Sequence, residues 1–341
     1  MTTTATSPAP DAAPPEGRTS PRSLVGIVLG IPAVIALMLL AFAAPALHSG
    51  PKDLPLAVSG PPPVVAQLTG AIQQQAPGAF AVTTYASTDE AATAIRHREA
   101  IGGLAATPTG LTIQTAAGAG APYSALLKGI GVQLSAGGQH VTYAELAPVP
   151  SADPAGAGLT TLGLPLIFGG MAAAVALVLA YRGALAVRLV AMFAVAIVGG
   201  FGATAILQFG FGAFEGSYLL TASAVAAGIA AISATVLGLG HLLGVAGVGL
   251  GAALMLFVSN PISGLATGPA WLPQPWGDLG QYLPVGAAGT AMRSAAYFDG
   301  SGATRAWIVL ACWIVGGVLL AAASARRSAT GGRTPADVTA D

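Results

Sequence analysis

Charged side chains are scarce in this 341-residue chain, since Asp, Glu, Lys and Arg together make up only 8% of it. A soluble domain carries about a quarter of its residues as these four types. So few charges are insufficient to cover a surface that faces water. Hydrophobic residues account for 54% of the chain, and the composition therefore predicts an integral membrane protein whose main partner is the lipid bilayer.

Cysteine is almost absent as well, because Cys312 is the only one. A single cysteine excludes a disulfide within the chain and a cysteine-cluster metal site, and we interpret it as a small apolar packing residue. The net charge is zero, which leaves no basic excess to attract nucleic acid. The four histidines are scattered, and no Ser/His/Asp arrangement or carboxylate pair is spaced for chemistry. We therefore predict no catalytic site, no metal, no cofactor and no nucleic acid: the protein is not an enzyme.

Long apolar runs are abundant, and a helix needs about 20 apolar residues to cross the hydrocarbon core of a bilayer. Six runs are near this length: 23–47, Leu159–Tyr181, Leu189–Phe211, Tyr218–Leu239, His241–Val258 and Ala306–Ala323. The first run could also be interpreted as a cleaved signal peptide, because Arg18 and Arg22 precede it and "AFAAPA" resembles a cleavage site. A secretory apolar region is usually only 7–15 residues long, which favours an uncleaved anchor.

Residues 48–157 have the charge density of a water-soluble module. Alternating apolar residues predict strands at 53–60, 80–87 and 140–149 and a strand pair within 101–117, whereas helical patterns cover 62–77, 87–100 and 122–137. The helix at 87–100 begins with Ser and Thr, has acids in its first turn and bases near its end, as helix capping and the helix dipole favour. These patterns predict a small α+β domain.

The arginines set the predicted orientation, because loops rich in Lys and Arg stay in the cytoplasm. Arginines cluster before the first run, between the second and third, and after the last: Arg18, Arg22, Arg182, Arg188, Arg326, Arg327 and Arg333. An even number of spans places all three clusters on one side. We therefore predict a multi-pass protein of the cytoplasmic membrane with cytoplasmic tails at 1–22 and 325–341, an extracellular domain at 48–157, and a five-helix membrane domain at 158–324.

The predicted fold class is thus an all-α polytopic membrane bundle of six transmembrane helices with an inserted extracellular α+β domain. The extracellular loop at 260–304 within the membrane domain carries Trp271, Trp276 and Tyr282, residue types that prefer the membrane–water boundary. Residues 270–284 predict a short helix on the outer leaflet, and residues 285–298 a second one that dips towards the membrane.

The loop motif and the order of segments resemble the ABC-2 type transporter permease family, in the branch of the phage-infection-protein-like membrane proteins. Leu272-Pro273 begins the proline-rich loop pattern, Tyr282-Leu283-Pro284 continues it, and Met292-Arg293 ends it. The resemblance covers Leu24 to Ala323. It implies a permease subunit that exports an amphiphilic or peptide-like substrate as a homodimer. A separate ATP-binding cassette subunit is implied too, since the chain has no phosphate-binding "GxxxxGK[ST]" motif.

The resemblance also implies where a site lies. Residues of the substrate path or gate are Asn260, Pro273, Tyr282, Pro284 and Arg293, and the link "YRGALAVR", with Arg182 and Arg188, would dock the ATPase. The alternative is a non-transporting envelope protein whose extracellular domain binds a partner, a lipid or a phage component.

Isolated polar residues and glycines in the apolar runs have more ordinary interpretations. Arg188 and Glu215 lie at span boundaries, and an exposed ion pair with Asp278 or Asp299 is the ordinary role for Arg293. Gln208, Asn260 and His241 are expected to bond neighbouring backbone groups.

The pairs Gly240/Gly244 and Gly247/Gly251 have GxxxG spacing, which favours close helix packing inside the bundle, with a dimer face as the alternative. The "GxGxxA" pattern at Gly247 lies in an apolar run and does not predict a dinucleotide site.

Overall fold

The computed structural model describes residues 21–331, with the side chains of 24–327. The predicted tails therefore lie outside the described residues, apart from 21–22 and 325–331. Those two stretches are helical, because α1 spans Pro21–Leu47 and α12 spans Thr304–Gly331. The part of α1 up to Leu40 forms a unit of its own, and its described side chains, from Leu24 onwards, are all exposed.

Five helical segments in the described range are long and apolar enough to cross a membrane. They are Leu24–Leu47, Ala157–Leu179, Leu185–Gly210, Tyr218–Leu243 and Thr304–Arg327. The second comprises α5 (Ala157–Thr161) and α6 (Gly163–Leu179), and the third comprises α7 (Leu185–Ala205) and a π-helical turn. The fourth is α8, Tyr218–Leu243. These helices confirm the apolar runs of the sequence as long helices.

The predicted fifth run, His241–Val258, is divided differently from the sequence expectation. Helix α8 continues to Leu243, and Gly244 then breaks the helix with φ 63° and ψ −140°. Helix α9 (Val245–Ala253) follows and ends in a π-helical turn, Leu254–Ser259. The boundary is therefore at Gly244 and not near Gly240, and the resulting apolar helix is shorter than the five others.

Helix α8 is the centre of the bundle, because 83% of its most apolar 18-residue stretch is buried. It packs against α6, α7, α9 and α12, and glycines allow the close approach. A Cβ at Gly170 of α6 would lie 2.8 Å from Ile232, and one at Gly200 of α7 would lie 2.6 Å from the Ala226 nitrogen. Of the GxxxG glycines, Gly240, Gly247 and Gly251 contact neighbouring helices as predicted, whereas a Cβ at Gly244 would have open space.

The α+β expectation for residues 48–157 is confirmed element by element. The elements are β1 (Leu54–Ser59), α2 (Pro62–Gln75), β2 (Phe80–Tyr85), α3 (Thr88–Arg96), β3 (Gly102–Thr107), β4 (Gly110–Thr115), α4 (Ala121–Ala136) and β5 (Val141–Glu145). They form one sheet of order β2-β1-β3-β4-β5, in which only the β3–β4 pair is antiparallel. The hydroxyl of Ser87 caps α3 by accepting the Glu90 N–H. We call residues 48–150 the sheet domain.

One end of the sheet domain lies against the segment between α9 and α12. This segment, residues 260–303, we call the connecting segment. The turn after β4, Ala117–Ala119, is so close to this segment that a Cβ at Gly118 would overlap Tyr297. The connecting segment contains the two predicted helices, α10 (Trp276–Gly280) and α11 (Pro284–Tyr297). Helix α11 is buried from Pro284 to Ala296 at every position except Thr290, because it packs against α8 and α12 as well as the sheet domain.

Candidate functional site

Arg293 of α11, a predicted site residue, is only 4% exposed. Its Nη2 donates a hydrogen bond to the Leu265 carbonyl at 2.7 Å, and burial lowers the pKa of its guanidinium. The expected exposed ion pair with Asp278 or Asp299 is wrong, since Arg293 has no ion pair with any described residue. Because α11 is buried, the guanidinium bonds a backbone carbonyl instead.

A second arginine, Arg98, comes from the sheet domain and lies close enough to Arg293 for their charges to interact. It follows α3 with a left-handed φ of 64°, and its Nη1 donates to the Thr290 carbonyl of α11 at 3.1 Å. The guanidinium lies 5.6 Å from the centroid of the Phe298 ring. Burial, and then the charge of Arg293, lowers the pKa of Arg98 to about 10. No local sequence pattern points to Arg98, because its hydrogen-bond partner Thr290 is almost 200 residues away.

Two tyrosines complete this arginine–tyrosine junction, which we define as Arg98, Tyr123, Arg293 and Tyr297. The Tyr123 hydroxyl accepts the Trp271 N–H at 3.1 Å, and burial raises the pKa of Tyr123 to about 12. Burial also raises the pKa of Tyr297 to about 12, and its buried hydroxyl has no hydrogen-bond partner among the described residues. The junction thus joins the sheet domain to the connecting segment through polar groups shielded from solvent.

Asn260, another predicted site residue, lines a cleft of about 520 Å³. This Asn260 cleft is bounded by the end of α1, the start of α6 and the connecting segment. Its lining mixes apolar side chains, such as Phe42, Leu164 and Trp271, with the polar groups of Asn260 and Thr160. The cleft therefore presents both apolar and polar surface.

The five predicted substrate-path residues do not converge on one cavity. Pro273 lies in the turn before α10, where its carbonyl accepts the Trp276 N–H. Tyr282 is 56% exposed, and the Trp313 indole donates to its carbonyl at 2.8 Å. Pro284 is buried at the start of α11, a position that suits proline because the first helical N–H has no partner in the helix. Of the five, Asn260 alone lines the Asn260 cleft.

The two predicted docking arginines have different surroundings. Arg182 is exposed between α6 and α7. Arg188, in the first turn of α7, approaches the Nε2 of His241 in α8 at 2.8 Å and donates to the Tyr181 carbonyl at 2.6 Å. Because a guanidinium only donates, Nε2 must accept, and Nδ1 then donates to the Leu237 carbonyl 2.9 Å away. This Arg188–His241 contact therefore requires neutral His241.

Cys312 does not have the packing role expected from the sequence, because it is exposed. It lines an almost wholly apolar groove of about 450 Å³ between α8, α9 and α12. The one hydroxyl of this groove belongs to Thr235, which donates to the Ala231 carbonyl within its own helix. The groove therefore offers a ligand little more than apolar contact.

Long apolar helices beside a compact sheet domain define the chain as a helical multi-pass membrane protein. No family model, curated protein or solved structure matches it.

Proposed function

We propose that this protein is a permease-like membrane subunit that exports an amphiphilic or peptide-like molecule with a separate ATPase. The observation that carries the proposal is the Asn260 cleft, which opens beside the start of α6 and combines apolar and polar walls. Arg182, exposed on the α6–α7 link, is the candidate contact for the ATPase.

Six membrane crossings belong to this proposal. The sheet domain and the connecting segment meet at one end of the bundle, where the Gly50 N–H donates to the Trp271 carbonyl at 3.0 Å. At the other end, Ser324 of α12 donates to the His241 carbonyl at 2.7 Å. Helix α9 begins beside this second end, and Ser259 at the end of its π-helical turn accepts the Val285 N–H of α11. The chain from Val245 to Ser259 therefore runs back through the bundle.

This returning segment is short for a membrane span. The 9 residues of α9 and the 6 of its π-helical turn rise no more than about 22 Å at 1.5 Å per residue, against roughly 30 Å of hydrocarbon. A segment of this length crosses only where neighbouring helices shield its ends from lipid. The packing of α9 on α8 and the bond of Ser259 to α11 supply that protection.

Copurification with an ATPase tests the transport proposal. We expect the full chain, purified in mild detergent, to retain an ATPase whose hydrolysis rises when an amphiphile is added. Arg182→Glu should weaken retention without changing the melting temperature, because the side chain is exposed. Arg96→Glu, at an exposed position of the sheet domain, is the matched control and should retain the ATPase. A chain that purifies without any ATPase under conditions that preserve its fold would contradict the proposal.

A second candidate function, partner binding by the sheet domain, is favoured by a groove of about 480 Å³ between α2 and α4. No side chain of α2 is fully buried, which leaves Val64 and Leu68 on the groove wall. Gln67→Trp would fill this groove from an exposed position. If this substitution abolishes the function of the protein in the cell while Arg182→Glu has no effect, the binding role replaces the transport role.

A further inference from the structure

A polar cavity of about 370 Å³, separate from the Asn260 cleft, lies between the sheet domain, the connecting segment and the start of α12. Three cations and two carboxylates line it: Lys52, Arg98, Arg305, Asp53 and Asp278. In the part of the chain that the structure describes, none of these five is ion-paired with another residue. The volume is within the range of roughly 300–1,000 Å³ that is usual for small-molecule sites, and its charged groups are available to a ligand.

Both guanidinium groups in this cavity are held by aromatic rings. Arg305 lies 4.1 Å from the centroid of the Tyr282 ring, and Arg98 lies over Phe298 while its Nη1 is bonded to Thr290. Cation–π stacking leaves the N–H edge of a guanidinium free. Arginine has five N–H donors, so Arg98 keeps donors for an acceptor in the cavity. These contacts hold both guanidinium groups in place on the wall of the cavity.

The backbone around the cavity has an unusual conformation at two of the charged residues. Asp53 and Arg98 adopt left-handed φ values of 50° and 64°, and Asp299 is the one other non-glycine residue with positive φ in the described range. Strained residues of this kind tend to cluster at binding sites, where the surrounding structure holds them. Both residues line the same cavity.

The distribution of charge indicates what the cavity would bind. Arg293 lies behind Arg98 without an acidic partner, which raises the positive potential on that wall and favours an anion. Asp278 and Asp53 supply carboxylates on the same cavity, and a carboxylate favours a bound ammonium group. A simple anion would meet these carboxylates unfavourably, whereas a zwitterion would satisfy both signs.

We propose that this cavity binds a small zwitterion in which a phosphate diester is joined to an ammonium group, with the phosphate on Arg98 and Arg305 and the ammonium near Asp278. The source is either the headgroup of an aminophospholipid or its free, soluble counterpart. The inference does not depend on the transport function.

Calorimetric titration of the purified full chain tests the proposal with three soluble probes: glycerophosphoethanolamine, glycerophosphate and ethanolamine. We expect the zwitterion to bind at least about tenfold more tightly than either of the two probes that carry charge of one sign only, since each half contributes a charge-assisted contact. Arg98→Gln should weaken the zwitterion by about tenfold or more, and Arg96→Gln, two residues away and exposed, should leave it unchanged. Asp278→Asn should weaken the zwitterion but not glycerophosphate.

Two further measurements make the result decisive. Arg305→Gln changes an exposed residue, so it should weaken binding without unfolding the chain even if Arg98→Gln does not fold. If nanodiscs that contain phosphatidylethanolamine compete with glycerophosphoethanolamine for the protein, and nanodiscs of phosphatidylglycerol alone do not, the lipid is the source. If glycerophosphoethanolamine binds equally in the presence of either kind of nanodisc, the free compound is the source. Equal affinities for all three probes, or equal binding by folded Arg305→Gln and the wild type, would overturn the proposal.

Discussion

At the scale of single residues, the packing of α12 on α8 depends on one of two adjacent glycines. A Cβ at Gly317 would overlap the Ala234 carbonyl of α8, whereas a Cβ at Gly316 has open space. We expect Gly317→Ala to destabilise the protein by about 1–3 kcal/mol, the usual cost of overpacking. Gly316→Ala should not lower the melting temperature, because alanine favours a helix over glycine. Thermal unfolding of both variants in one detergent measures the difference, and equal melting temperatures would contradict it.

Tyr123 makes a pH-dependent contribution to stability. Burial raises its pKa from 10.0 to about 12, so between these values the unfolded chain has released the phenolic proton while the folded chain still holds it. The contribution of Tyr123 is present in full below pH 10 and is lost as the pH rises towards 12. Tyr123→Phe should be less stable by about 1 kcal/mol at neutral pH, because it loses the bond from Trp271.

The same variant should first match and then exceed the wild type in stability as the pH rises, since phenylalanine has no proton to release and this loss in the wild type outweighs one hydrogen bond. Unfolding curves of both proteins, recorded between pH 10 and 12, measure this crossing. Curves that stay parallel over the whole window would show that Tyr123 is not protected from ionisation by burial.

Residue-scale predictions from the sequence were wrong about some of the partners that they assigned. The proline-rich loop pattern identified Arg293, but the expected acidic partner is replaced by a backbone carbonyl, because α11 is buried. Arg98 lies in an ordinary charged helix end and was not identified. Its role depends on contact with Thr290, which is so far away in the sequence that no local pattern encodes the contact.

At the scale of helices, the Arg188–His241 contact joins α7 to α8. Arg188→Gln should lower the stability by about 1.5–3 kcal/mol, the usual contribution of a hydrogen bond to a charged group. Arg182→Gln is the matched control, because that arginine is exposed on the same link. Thermal unfolding distinguishes the two. If both variants melt with the wild type, the contact does not stabilise the helix pair.

The break between α8 and α9 should be equally sensitive to substitution. Gly244 has a φ of 63° and a ψ of −140°, a combination that residues with a Cβ rarely adopt. Gly244→Ala should therefore cost about 1–3 kcal/mol, although a Cβ there has open space. Gly249→Ala in α9, with open space as well, should leave the stability unchanged or raise it, as comparative melting will test.

Most elements of the sheet domain were predictable because alternation and capping are local signals. The Ser87 cap and the strand pair β3–β4 are examples. The length of α9 was not predictable from hydropathy, because the apolar run continues across Gly244 and only the backbone conformation divides it. The Asn260 cleft was likewise beyond the sequence, since it assembles the end of α1, the start of α6 and the connecting segment.

At the scale of the whole molecule, the main prediction concerns which parts share a side of the membrane. If α9 crosses, both termini and Arg182 lie on the cytoplasmic side, and the sheet domain lies outside with the connecting segment. Reporters that are active only outside the cytoplasm, inserted at exposed Gly138 between α4 and β5, should be active. The same reporters at Arg182 and at either terminus should be inactive.

Each alternative result has its own meaning, because every crossing reverses the side. A reporter active at one terminus and inactive at the other would indicate an odd number of crossings, so that α9 enters the membrane without spanning it. A reporter inactive at Gly138 would place the sheet domain in the cytoplasm, against the arginine distribution. That result would remove the basis of the permease proposal, because the Asn260 cleft borders the connecting segment, which contacts the sheet domain directly.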